Sequence, residues 1–144
     1  MRETLTTRQT FVLFPLGKKR FALPAEEVGE LARQDTPQTF PHTTPLLTGV
    51  VVRRNQIVPV ADVAPVLVGP DTAVRKFYLI VNRRGKVNIG RTAIPVTGEC
   101  ELTDAEQLPV TGKLPSYVCG LLSLKNEIVE VLDIERLISA EVRA

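Results

Sequence analysis

Two small, strongly curved β-barrels packed against each other are the fold this sequence predicts, and three observations predict it. The 144-residue chain writes one pattern twice, and its apolar residues come in short β-branched runs broken by turn residues. Clear helical spacing is confined to one short stretch closing each copy. The repeat is plainest where residues 47–67, LTGVVVRRNQIVPVADVAPVL, meet residues 118–138, VCGLLSLKNEIVEVLDIERLI. Gly49 to Gly120 sets an offset of 71, which also aligns Asn55 with Asn126, Ile57 with Ile128, Val60 with Val131 and Asp62 with Asp133. The same offset aligns Ala22-Leu23-Pro24 with Ala93-Ile94-Pro95, and Glu30-Leu31 with Glu101-Leu102. Near the start the spacing shortens to 66, pairing Phe11 and Leu13 with Phe77 and Leu79 and implying about five extra residues in the second copy's first turn. The chain is therefore one domain over 1–144 made of two homologous halves, 10–69 and 76–138, with the N-terminal strand or the C-terminal helix free to cross between them. A half of about 70 residues has a marginal core alone, so the halves should pack on each other.

Taken in order, each half reads as five short strands. Residues 11–16 and 21–24 flank the turn Gly17-Lys18-Lys19-Arg20 as a hairpin, and Pro24 ends the ladder because it has no amide hydrogen to donate. Residues 25–31 permit a helical turn, but Pro24 and Gly29 limit it and favour a short turn followed by an edge strand over 28–32. Residues 33–46, with three prolines, read as a surface connection. The central hairpin joins Gly49-Val50-Val51-Val52 to Ile57-Val58-Pro59-Val60, and Asn55 tolerates the positive φ that a tight turn requires. Asp62 is placed to cap a helical turn over 63–67. After a linker at 69–75 the order repeats: strand 77–82, a long turn, strand 92–96, a strand near 100–102, a proline-containing loop and the second central hairpin. Asp133 then caps helical turns over 134–142. Five short antiparallel strands close best as a barrel, since closure removes exposed edges. The fold class is mainly all-β with short helical turns.

Composition narrows the function. Apolar residues make up 44% and charged residues 24%, a globular balance, and the net charge of +2 favours no particular partner. The longest apolar runs fall far short of the ~18–20 residues that cross a bilayer. The polar start, MRETLTTRQT, lacks the apolar core of a signal peptide, which makes the cytoplasm the expected compartment. Cys100 and Cys119, the only cysteines, are too few for a disulfide framework or a zinc site, and read as small core or half-exposed residues. His42 is the only histidine, in a proline-bounded loop, with no orienting group to make a Cys–His nucleophile. Carboxylate pairs at 26–27 and 104–106 fall in turns, where solvated acids are ordinary. Neither catalysis nor a cofactor is expected.

Basic residues gather at turn tips: Lys18-Lys19-Arg20, Arg53-Arg54, Arg83-Arg84 with Lys86 and Arg91. Small barrels bind nucleic acid through aromatic platforms beside such charges. Here Phe11, Phe14, Phe21, Phe77 and Tyr78 occupy strand positions that read as core, so solvated hairpin tips are the better reading. What remains is protein recognition. The consecutive apolar runs 50–52 and 57–58 imply strands covered on both faces, by the other barrel in the first instance or by a partner.

The segments FVLFPLGKKRFALP (11–24), GVVVRRNQIVPVADV (49–63), Tyr117-Val118-Cys119-Gly120 and 128–134 together resemble the CheW-type domain, the adaptor module of bacterial chemotaxis. The likeness covers roughly residues 10–140, and Gly49, Arg54, Pro59, Val60 and Asp62 stand in register with the family's central motif. The resemblance implies two SH3-like five-stranded barrels and a non-catalytic scaffold. Such a scaffold links the cytoplasmic tip of methyl-accepting chemoreceptors to the regulatory domain of a CheA-type histidine kinase. It implies a receptor groove between the barrels, carried here by Val28, Glu30, Gly49 and Arg54, and a kinase contact mainly on the second barrel. The family's Arg-Gly turn reads Arg54-Asn55 here, an apolar position before it is Arg53, and a frequent Val-Asp is Val96-Thr97. These departures admit a divergent adaptor of a pilus or gliding system as the alternative reading.

Overall fold

The structure, a computed structural model, describes residues 8–33, 47–69, 75–82, 91–110 and 112–143. Among the described residues, ten strands and two α-helices follow in chain order. β1 (Arg8–Leu16) and β2 (Lys19–Pro24) form the first hairpin, and a 3-10 turn (Ala25–Glu27) leads into β3 (Val28–Arg33). β4 (Leu47–Arg53) and β5 (Gln56–Ala61) form the first central hairpin, closed by α1 (Ala64–Val68). The second copy supplies β6 (Phe77–Asn82), β7 (Arg91–Val96), β8 (Glu101–Glu106), β9 (Val118–Leu124), β10 (Glu127–Leu132) and α2 (Ile134–Arg143). The turn-then-edge-strand reading of residues 25–32 holds, and Asn55 and Asn126 both take positive φ, 63° and 68°. The connection 34–46 with His42, and the long turn with Arg83, Arg84 and Lys86, lie outside the described residues.

The two five-stranded sheets are not the two sequence halves. One runs β8-β1-β2-β10-β9 and the other β3-β6-β7-β5-β4, so each half gives its first hairpin to the sheet holding the other half's last three strands. We call the barrel of β3, β4 and β5 the first and that of β8, β9 and β10 the second. Each borrowed hairpin joins by one antiparallel and one parallel ladder. Ala22 faces Val131 across the parallel pair of β2 with β10, and Ala93 faces Val60 across that of β7 with β5. These are repeat-equivalent contacts, since 93 − 22 and 131 − 60 both equal 71.

Strand register also corrects the repeat near its start. Leu13 pairs with Ala22 and Ile80 with Ala93, so the spacing between β1 and β6 is 80 − 13, or 67 rather than 66. Phe11 corresponds to Tyr78 and Val12 to Leu79, leaving four additional residues in the second copy's first turn. The physical reason is the period of two along a strand: a one-residue slip would exchange the faces. With 67, faces match. Phe11 and Leu13 line the interior of the second barrel while Tyr78 and Ile80 line that of the first. Val12, Phe14, Leu79 and Val81 all turn into a larger core shared by both sheets and roofed by Leu132, Ile134, Leu137 and Ile138.

That shared core explains which strands are covered on both faces. They are β1, β2, β6 and β7, whose apolar residues are almost all buried. The central hairpin, expected to be covered by the other barrel or by a partner, is not covered by the other barrel: Val51 and Val58 are inside the first barrel, but their neighbours Val52 and Ile57 remain 53% and 70% exposed. Thr97 ties the two barrels at a polar point, accepting from Gly17 N at 3.0 Å and donating to the Pro15 carbonyl at 3.2 Å.

Candidate functional site

Val28, Glu30, Gly49 and Arg54 all lie along one seam. Val28 and Glu30 are on β3, Gly49 is on β4 and Arg54 is in the turn after it; β3 and β4 are the two edges of the first barrel's sheet. Val28 packs half-buried against the shared core, and Gly49 is buried opposite Val60. Gly49 has no side chain to present, and Val28 leaves part of its own exposed. A cleft of about 280 Å³ does open between the sheets, but Pro24, Glu27, Asn82, Cys119, Leu132 and Asp133 are among its walls and none of the four residues is.

The polar end of the seam is a cluster around the Glu30 carboxylate. Arg53 Nη2 donates to Glu30 Oε2 at 2.8 Å, Arg91 Nη1 stands 3.6 Å from Oε1, and Arg54 Nε is 4.0 Å from the same oxygen. Arg91 also donates to Gln56 Oε1 at 3.2 Å, so side chains from β3, β4, β5 and β7 meet at the mouth of the barrel. Arg53, held nearest, is the main cause that keeps the Glu30 carboxyl below its ordinary range. Glu30 is only 19% exposed and Arg54 75%. The 4.0 Å contact of so exposed a guanidinium is the weakest in the cluster. Arg54 and Asn55 both have positive φ, 53° and 63°, the geometry of a two-residue hairpin turn that matches strand twist. That turn throws the Arg54 side chain out from the barrel's end.

Sequence reasoning named Glu30 and Arg54 for a receptor groove and did not anticipate that Arg53 and Arg91 hold the Glu30 carboxylate. The signal was present in the repeat. Arg20 and Arg91 are equivalent, as are Glu30 and Glu101, and Gln56 and Glu127, all at the offset of 71. In the second barrel Arg20 accordingly pairs with Glu101 and Glu127. The two mouths differ where Gln56 is matched by Glu127 and where Arg53 is matched by Leu124.

Other chemistry is weak. Burial pushes the Cys100 thiol up to about 11 and raises that of Cys119, so neither supplies a thiolate near neutral pH. Phe11, Phe14, Phe21 and Tyr78 are buried, and none of the described aromatics is exposed as a base-stacking platform. Among the described residues no cluster of metal-ligating side chains occurs, and no helix is long and apolar enough to cross a membrane.

Two interlocked small barrels, each plugged at its mouth by an arginine–carboxylate cluster, define a duplicated-barrel β protein. The model of the CheW-like domain matches residues 10–142, and the chain belongs to that family, whose members are non-catalytic scaffold proteins. The crystal structure of the scaffolding protein TtCheW from Thermoanaerobacter tengcongensis is similar at a TM-score of 0.78 and 16% identity, covering 95% of this chain and 92% of that one. That likeness carries the fold, a pair of SH3-like barrels. Comparison with curated proteins gives no match.

Proposed function

We propose that this chain is a cytoplasmic adaptor that couples the tip of a methyl-accepting chemoreceptor to the regulatory domain of a CheA-type histidine kinase. Membership of the CheW-like family supports the reading, and one observation carries it here. The seam of the first barrel sets an exposed cation, Arg54, beside an exposed apolar pair, Val52 and Ile57, which are direct cross-strand partners. An amphipathic receptor hairpin offers such a surface apolar side chains to cover the pair and a polar group to meet the guanidinium. Glu30 positions the arginines, while Gly49 and Val28 keep the seam's two edge strands packed. The kinase contact falls to the second barrel, where Leu102 and Ile128 are exposed at positions equivalent to Leu31 and Ile57.

Calorimetric titration with the receptor tip and with the kinase regulatory domain, both from the same genome, tests the reading. Arg54→Glu should weaken the receptor titration at least tenfold, ~1.4 kcal/mol, and leave thermal unfolding close to wild type. Unchanged receptor affinity in a folded variant removes Arg54 from the interface. Absence of binding to both partners by the folded wild-type chain would overturn the adaptor function itself.

A further inference from the structure

The two mouths are built from repeat-equivalent residues yet carry different charge. In the second, Arg20 stands with two carboxylates, Glu101 and Glu127. In the first, three guanidiniums of Arg53, Arg54 and Arg91 stand with the single carboxylate of Glu30, because Gln56 replaces a glutamate and Arg53 replaces a leucine. Counted over these paired side chains, the second cluster carries one negative charge in excess and the first two positive charges in excess. Their distribution is uneven as well. Arg53 holds Glu30 at 2.8 Å and is largely covered, Arg91 is shared with Gln56, and Arg54 is left outermost at 4.0 Å.

We infer that the first barrel's mouth is an acceptor for a carboxylate of the docked partner, with Arg54 as the contacting group and Arg53 as the residue that makes it available. This rests on the adaptor reading and adds to it the chemistry of the segment selected: an acidic residue flanking the apolar positions that cover Val52 and Ile57. Arg53 acts by occupying Glu30. With leucine at that position, as the second barrel has at Leu124, Glu30 loses its nearest partner and draws Arg54 in beside Arg91, and the tip loses its loosely held cation. A carboxylate arriving at Arg54 makes a charge-assisted hydrogen bond in a site drying on docking, where such pairs govern selectivity between partners.

The test uses the full chain and two forms of one probe, the cytoplasmic hairpin tip of a chemoreceptor from the same genome. One form is native, and the other has its Asp and Glu residues replaced by Asn and Gln. The wild-type chain should bind the native form at least about tenfold more tightly, with the preference shrinking as salt rises. Arg53→Leu should reduce that preference to less than about threefold, and Arg53→Lys, which still neutralises Glu30, should retain it. Equal binding of both forms by wild type overturns the acidic-partner inference and leaves the adaptor reading intact. A preference unchanged in Arg53→Leu overturns the role given to Arg53. If wild type binds neither form, the receptor function falls and this inference with it.

Discussion

The two barrels close their seams by different means. In the second, Leu108 and Leu121 exchange backbone hydrogen bonds of 2.8 and 3.0 Å, and Gln107 lies over Gly120 to reach the Cys119 carbonyl at 3.1 Å. In the first, among the described residues, the edges β3 and β4 are joined by the Glu30–Arg53 ion pair. Backbone pairing is indifferent to side-chain identity, whereas an ion cluster is rewritten by one substitution. A duplicated fold can thus keep one barrel's closure constant and let the other's mouth diverge in charge. This is how equivalent positions come to serve different ends.

The strongest break in this comparison targets what the barrels share. Phe14 is fully buried in the common core, its ring 6.1 Å from that of its cross-strand partner Phe21. Phe14→Ala should cost about 3–5 kcal/mol and destabilise both barrels together. Denaturation followed by circular dichroism should show one transition, with amide exchange accelerated in both sheets. Exchange confined to β8, β1, β2, β10 and β9 would mean that the interlocked hairpins do not couple the barrels.

A smaller effect tests the second seam alone. A Cβ at Gly120 would stand 2.2 Å from Gln107 Nε2, so Gly120→Val must expel that side chain and its bond to Cys119. A loss of about 1–3 kcal/mol is expected, with faster exchange at Leu108 and Leu121 and unaltered receptor-tip affinity. Retained stability with slow exchange would show that the backbone bridge needs no cover.

The smallest effect probes the first seam. Glu30→Gln should cost no more than about 1 kcal/mol at neutral pH, since the cluster is partly solvated. Its signature is in pH dependence. Arg53 lowers the folded-state pKa of Glu30, so its contribution is present above the unfolded-state value and is lost as pH falls through the folded one. Wild type should therefore lose stability more steeply than Glu30→Gln on acidification below about pH 5. Parallel profiles would show that the carboxylate is not held in the folded state.

Much of this was legible in the sequence because it is local. Asn55 and Asn126 announced tight turns, Pro24 announced the end of β2, and Asp133 announced the start of α2, where its side chain accepts from Arg136 N at 3.1 Å. Asp62 was only half legible: it accepts from Ala64 N at 3.3 Å but sits one residue before the cap position, which is Val63. For Val52 and Ile57 the sequence left two covers open, the other barrel or a partner, and the other barrel does not supply one. An apolar run states that a strand prefers cover, and it does not state whether another element arrives to provide it.

What the sequence determined by itself was the duplication, about five short strands in each half and the turn chemistry. The tertiary structure alone decided that each half lends its first hairpin to the other's barrel, that the first strands are related by 67 residues, and that Arg53 rather than Arg54 holds Glu30. Strand formation depends on side chains a few positions apart, whereas partner choice depends on faces and edges meeting across many tens of residues. In a chain that repeats itself, either copy's hairpin satisfies the same local pattern. Only the packing of the shared core selects between them.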